Sequence, residues 1–290
     1  MNLCRLRHYA MATTYEIVVR PGGDEERIAN SIATTAFAEL DRLEDELSRF
    51  RPGSDIWRIN QTGAGQTVHV GLACYDCLSL AKELDQVTGG AFDVTIGPLM
   101  NLWRSTDGKL LQVNPAEIEE ARQRVGTHLF SLDPDGLKVT PHHDRLALDL
   151  GALGKGYALD QLADMMTEWG LDNYLLNAGQ STVYASGPGP DPDKSTSGWP
   201  VTVGNRLVRL QQRALSGSGF AIQGSHIIDP RNGEPLPTRM HRSYALAPTA
   251  AVADALSTAF MLMDDDQIRQ LCRQFPEVDH MTDQPEAGES

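Results

Sequence analysis

Apolar residues recur at helical spacing through several long stretches of the chain and at alternating spacing through others. Helical spacing predicts a long helix over about 25–47, opened by acidic residues, and a second over 72–87. Pro115 and early acidic residues predict a third over 115–125, and an amphipathic stretch predicts a fourth over 157–168. Residues 251–263 are apolar nearly all round, so this helix is expected to be buried. Pro248 and Thr249 supply its start and Asp264–Asp266 its polar end. Strands are predicted at Thr14–Val19, 128–132, 137–140, 145–150, 173–177 and near Val183, and strands dominate from there to 246. Asp133-Pro134-Asp135-Gly136 supplies a turn between two of them, and residues 51–70 read as turn and strand. Residues 186–199, rich in Gly, Pro, Ser and Asp, read as an exposed loop. The fold class expected is α+β, with mixed, largely antiparallel sheets flanked by helices.

Charge narrows the partners. The 290 residues carry a formal net charge of −14, which argues against nucleic acid or an anionic membrane as the ligand. The same charge means that any anionic substrate needs a local cation. No stretch approaches a membrane-spanning length. No apolar run precedes Cys4, so no signal peptide or lipid-anchoring site is visible, and the sequence as given reads as cytoplasmic. A trimmed N-terminus would instead fit an exported or membrane-anchored protein. Cys74-x-x-Cys77 has no second pair and reads as two small buried side chains on a helix rather than as a zinc site.

Four segments carry candidate chemistry. In Ser225-His226-Ile227-Ile228-Asp229-Pro230-Arg231-Asn232-Gly233, a short strand places His226 beside a tight turn. In the apolar helix, Asp254 and Thr258 stand four residues apart on one face. A buried carboxylate needs a partner. A hard cation such as magnesium, coordinated with the hydroxyl, and a buried arginine both satisfy it. Leu150-Gly151-Ala152-Leu153-Gly154-Lys155-Gly156 is a glycine loop with one lysine at a helix start, suited to an anion. It is not a Walker loop, because its glycine spacing is too short and glycine follows the lysine. In Thr88–Leu99, Phe92 offers an aromatic face while Asp93 and Thr95 point together if the backbone is extended. That suits a planar ligand, and core packing accounts for Phe92 equally well.

In order along the chain, these segments resemble the ApbE family, the FAD:protein FMN transferases. The resemblance is carried by MATTY at Met11, LSRFRPGSDI at Leu47, Asn60, TGGAFDVTIGPL, DLGALGKGYALD, Asn177-Ala178-Gly179, SHIIDPRNG and ADALSTA. It covers about Met11 to Met263, so residues 11–263 are expected to form one flavin transferase domain and 264–290 an acidic, polar C-terminal segment. The resemblance implies an ApbE-like, T-fold-related architecture. It also implies transfer of the FMN half of FAD to a serine or threonine hydroxyl of a client protein, with AMP released and magnesium required. Asp254, Thr258 and the backbone carbonyl of Ala152 would hold the metal. Met11, Phe92, Asp93, Thr95, Lys155, Ser218, Gly219 and Asp229 would lie on the FAD side, Asp229 also bracing its own turn. His226 would be the catalytic residue, handling the proton of the attacking hydroxyl. The client would present an Asp-x-x-Ser/Thr-Gly-Ala-Ser/Thr-like acceptor.

The chain departs from the family pattern at Gly179-Gln180-Ser181, where Gly-Gly-Asp is usual, and at Gly217-Ser218-Gly219, where Thr-Ser-Gly is common. Ser225 stands where a second histidine is often found, and Val94 where a proline is usual. The altered substrate-side loops bear on recognition of the acceptor. FAD pyrophosphatase activity and non-catalytic flavin binding are therefore the alternatives to transfer.

Overall fold

A computed structural model describes residues 3–103, 111–179, 181–191, 197–219, 227–237 and 242–283. The chain opens with an antiparallel hairpin of β1 (Cys4–Ala10) and β2 (Thr13–Val19). Met11 and Ala12 make its two-residue turn, both with positive φ, 50° and 57°. That turn matches the twist of the strands but is costly for residues with a Cβ. The long helix α1 (Gly23–Leu47) buries Ile32, Ala36, Leu40, Leu43 and Leu47 along one stripe. Ser54 then caps α2 (Asp55–Gln61), its hydroxyl accepting from the Trp57 amide.

A short strand β3 (Val68–His69) precedes α3 (Leu72–Val87), which buries Cys74, Cys77, Leu78 and Ala81. Next come α4 (Gly97–Trp103) and α5 (Pro115–Arg122), the latter started by an Asn114–Glu117 capping box. Strands β4 (Phe130–Asp133) and β5 (Lys138–Pro141) pair as a hairpin, and β3 adds to β5 to make a three-stranded sheet.

The remaining elements complete the main sheet. They are α6 (Gly154–Glu168), β6 (Tyr174–Ala178), β7 (Thr182–Ser186), β8 (Trp199–Val203), β9 (Arg206–Leu210), β10 (Arg213–Ser218), β11 (Ser243–Ala247), α7 (Ala250–Ala259), α8 (Asp265–Gln274) and β12 (Asp279–Thr282). The main sheet runs β1-β2-β6-β7-β10-β11-β12, antiparallel throughout. Tyr15, Ile17 and Val19 of β2 face the core shared with α1, α3, α6 and α7, while Val18 faces the other way. There the β8–β9 hairpin covers the sheet, with Trp199, Val203 and Leu210 packed against Leu215, Tyr244 and Leu246. The fold is the α+β class expected, with sheets that are antiparallel rather than doubly wound.

Four local differences from the sequence reading stand out. The sheet begins at Cys4, one strand before Thr14–Val19. Residues 55–61 are helical, not extended. Residues 146–150 pair with no strand; they run as an extended segment held by side chains and loop backbone. The acidic segment from Asp264 is built into the fold: an Asp264–Gln267 capping box starts α8, and β12 extends the sheet beside β11. Asp265 and Asp266 remain solvated on the first turn of α8, where acids favour the helix dipole.

Candidate active site

Two helices and two strands bring the candidate residues together. Asp254 lies on α7, 4% exposed, facing the sheet. Its Oδ1 accepts from Thr182 Oγ1 on β7 at 3.0 Å and from Ser216 Oγ on β10 at 3.2 Å. Its Oδ2 meets Lys155 Nζ at 3.3 Å, at the start of α6. The lysine also donates to the Gly151 carbonyl at 2.7 Å. Thus the buried carboxylate has a lysine and two hydroxyls where an arginine was an open alternative. One turn along α7, Thr258 Oγ1 lies 3.0 Å from Ser218 Oγ, which also contacts Ser257 Oγ at 2.8 Å. Ser218, expected on the FAD side, is therefore joined to the helix of the proposed metal ligands.

The glycine-lysine loop is clamped from three directions. Asn60 donates to the Leu148 carbonyl at 3.0 Å and accepts from its amide at 2.7 Å, mimicking a strand partner. The Asp149 amide donates to the Val94 carbonyl, and the Gly97 amide to the Ala147 carbonyl. A Cβ on Gly97 would stand 2.3 Å from that carbonyl oxygen, so only glycine allows this approach. Asp149 then turns the chain by accepting from the Gly151 amide at 2.7 Å, with the Arg49 guanidinium 3.1 Å from its other oxygen. Ala152 sits between Gly151 and the first turn of α6, half-buried against the core.

Helices α6 and α7 are set against each other by Asp160, whose two oxygens accept from the Ala250 and Ala251 amides at 2.6 and 2.8 Å. Thr249 caps the next amide, Val252. Burial pushes the Asp160 carboxyl up to about 7, against the lowering effect of those two amides. Close by, burial and the charge of Asp254 keep the Tyr15 phenol protonated, and its hydroxyl contacts Met11 Sδ at 3.2 Å.

The segment Thr88–Leu99 folds as turns and bends that lead into α4 at Gly97, rather than as a strand. Phe92, Asp93 and Thr95 are all buried. Asp93 Oδ1 accepts from both the amide and the hydroxyl of Thr95, at 2.7 Å each, and Thr95 Oγ1 in turn accepts from the Gly126 amide. The two side chains do point together, but through a two-residue turn. Burial raises the Asp93 carboxyl to about 6. Phe92 packs in the main core. Asp229 braces its turn, accepting from the Arg231 amide and guanidinium, while Ile228 bridges to Pro235. Gly219 follows the end of β10 beside Arg242. His226 and Gln180 lie outside the described residues.

The sequence profile of the ApbE family matches residues 11–282. The chain belongs to the ApbE family. The match runs through α8 and β12, past the boundary expected at Met263. A curated relative from Klebsiella pneumoniae, named FAD:protein FMN transferase, is 29% identical over 87% of this chain and 77% of its own length. One of the same name from Salmonella typhimurium is 29% identical over 91% of this chain and 79% of its own. The apo crystal structure of the Pseudomonas stutzeri flavinyl transferase ApbE superposes with a TM-score of 0.80 at 26% identity, covering 97% of this chain and 92% of that one. The ApbE protein of Thermotoga maritima gives the same score and identity, covering 97% and 94%.

In this ApbE chain the groups left to face a cation at Asp254 are oxygens: the carboxylate Oδ2, the Thr258 hydroxyl one turn along the helix and the backbone of the Gly151–Ala152 turn, while Thr182 and Ser216 bond Oδ1 from the sheet. That set fits a hard divalent cation that keeps open positions for phosphate oxygens and water. Among the described residues, no three His, Cys, Asp or Glu side chains gather as a metal cage. Three of the described cations near the site are paired with carboxylates: Lys155 with Asp254, Arg49 with Asp149 and Arg231 with Asp229. Thr182, Ser216 and Asp160 carried no functional expectation in the sequence. Asp160 alone had a signal, as the last residue of DLGALGKGYALD.

Proposed function

We propose that this chain transfers the FMN moiety of FAD to a serine or threonine hydroxyl of a client protein, releasing AMP, in a magnesium-dependent reaction. It is an enzyme of the kind its curated relatives are named for. The observation that carries the reading is the buried Asp254 carboxylate, set between Lys155 of the glycine loop and the hydroxyls of β7 and β10. With its lysine already paired to a carboxylate, in a chain of net charge −14, such a site calls for an added cation to hold a pyrophosphate. Asp254, Thr258 and the Ala152 carbonyl would hold magnesium, whose chemistry is to neutralise charge developing on the phosphate oxygens.

The residues of the chain do the rest. Lys155 lies where it can exchange its bond to Asp254 for a phosphate oxygen. The clamped loop 146–154 aims its backbone at the ligand, and His226 takes the proton of the attacking hydroxyl. That oxygen bonds to the FMN phosphorus as the P–O bond to AMP breaks, so the pyrophosphate supplies the leaving group. Met11, Phe92, Asp93, Thr95, Ser218, Gly219 and Asp229 form the flavin side. Phe92, Asp93 and Thr95 act there as buried walls and supports for the loop that carries them.

The test is incubation with FAD, with and without magnesium, and with a domain carrying an Asp-x-x-Ser/Thr-Gly-Ala-Ser/Thr acceptor. AMP equal to the covalent flavin on the acceptor, seen by mass spectrometry only with magnesium, is expected. AMP with free FMN and an unmodified acceptor would make the protein a pyrophosphatase. Bound FAD with no AMP would make it a flavin-binding protein.

A further inference from the structure

The Asp254 carboxylate is held from behind by the sheet. Thr182 opens β7 and Ser216 lies opposite it in register on β10, and both are fully buried. Their hydroxyls are 2.9 Å apart and converge on the same oxygen, Oδ1. Among the described residues the other oxygen, Oδ2, meets the lysine alone, which is partly exposed. The two oxygens are therefore in unlike positions: one fixed by the sheet, the other facing the glycine loop and an exchangeable cation. A second run of hydroxyls leads on from Ser216 to Ser257 at 3.4 Å, to Ser218 at 2.8 Å and to Thr258 at 3.0 Å. It joins the two side chains proposed as metal ligands.

We infer that Thr182 and Ser216 are positioning residues that lock Asp254 to present Oδ2 alone to a divalent cation, and so set the affinity and selectivity of the site. Asp254 is the metal ligand here by an assignment that rests on the proposed function. The physical reason is geometric. Magnesium and manganese take a single oxygen from a carboxylate in near-octahedral sites, whereas calcium accepts both oxygens of one carboxylate readily. With Oδ1 occupied by hydroxyl donors, two-oxygen binding is blocked. With the hydroxyls gone, the carboxylate is free to turn, and the one-oxygen geometry is no longer enforced.

The experiment is a titration of the full chain with manganese, read by electron paramagnetic resonance of the free ion, with magnesium and calcium as competitors. Thr182→Val, Ser216→Ala and Thr182→Ser are compared with the parent protein, and circular dichroism checks each fold. The parent protein is expected to bind manganese. Thr182→Val and Ser216→Ala are expected to bind it roughly 10–100-fold more weakly, with a smaller loss for calcium. Thr182→Ser, which keeps the hydroxyl, is expected to restore both affinity and preference. A role limited to stability would leave the manganese-to-calcium preference unchanged. If the parent binds manganese and folded Thr182→Val and Ser216→Ala bind it equally well, the positioning role is overturned and the metal site stands. If the parent binds none, the metal role of Asp254 falls, and the positioning role with it. Should Thr182→Val not fold, Ser216→Ala decides.

Discussion

Lys155 Nζ and Asp254 Oδ2 meet at 3.3 Å, although 98 residues separate them in the chain. One stands on the first turn of α6 and the other inside α7. Their meeting depends on the close packing of those two helices, and each element around the site contributes to that packing. The pair also explains how a buried acid survives without metal: the ammonium neutralises it, while two hydroxyls solvate its other oxygen.

Lys155→Met removes that ammonium and keeps the length of the side chain. Asp254 then remains buried with hydroxyl partners only. The loss is expected at about 1–3 kcal/mol, below that of a fully buried pair because the lysine is partly exposed. Thermal melting without metal should show it. Magnesium should recover part of the loss, since the cation takes over the neutralising role. A melting temperature equal to that of the parent, with or without magnesium, would show that the pair contributes no stability.

Asn60→Ala tests the clamp on the glycine loop. Asn60 satisfies both the amide and the carbonyl of Leu148, a residue with no exposed surface. Without it, each bare backbone group costs about 1–3 kcal/mol. The urea midpoint should fall. Amide exchange should speed up over residues 146–151 well before the rest of the sheet opens. Uniform acceleration across the main sheet would instead mean that Asn60 supports the whole fold and not the loop.

Gly156→Ala tests the approach of α6 to α7. A Cβ there would stand 2.2 Å from the Ala250 carbonyl oxygen and 2.7 Å from the Ala251 Cα, both backbone atoms that cannot rotate away. The helices must separate, and overpacking of this kind costs about 1–3 kcal/mol. Because Lys155 is the preceding residue, transfer activity should fall further than stability. Activity assayed well below the melting temperature separates the two effects. Full activity there would show that the site tolerates the displacement.

What the sequence disclosed follows from how local each signal is. Leu72–Val87 and the buried helix from Ala250 carry their periodicity within themselves; the first appears where the pattern placed it, while the second starts as expected but ends at Ala259, residues 260–263 being turns and a bend although the apolar run continues to Met263. Asp254 and Thr258 share a face because helical spacing dictates it. The partners of Asp254 were hidden: Thr182 and Ser216 look like ordinary strand residues, and only sheet register puts them opposite each other. Residues 146–150 alternate as a strand does, yet their hydrogen bonds go to Asn60 and to a loop, which no local pattern encodes. The first strand, Cys4–Ala10, has a weak signal: Arg5 and Arg7 alternate with Cys4 and Leu6 as in a half-buried strand, but His8 on the inner face and Tyr9 on the outer one interrupt the pattern. The acidic run at Asp264 looked like a solvated tail because the Asp264–Gln267 capping box was outweighed by its charge.

Asp160 makes the packing of α6 on α7 sensitive to pH. Its carboxyl is raised from 3.8 to about 7 in the folded protein, chiefly by burial. The folded state therefore holds a proton that the unfolded chain releases between those values. Where the folded state binds more protons, stability falls as pH rises. The contribution from this group is complete below about pH 4 and is lost as pH climbs through about 7. Asp160→Asn is uncharged throughout, keeps one acceptor for the Ala250 and Ala251 amides, and places an amide NH₂ near the other. The variant is expected to be less stable than the parent at pH 4.5, because a protonated acid can rotate its hydroxyl where the amide cannot. That deficit should shrink steadily toward pH 7.5, as the parent takes on the cost of a buried charge. Paired melting curves across this range give the difference directly. A deficit that grows with pH would mean that the ionised carboxylate, held by its two amides, is the form the fold prefers.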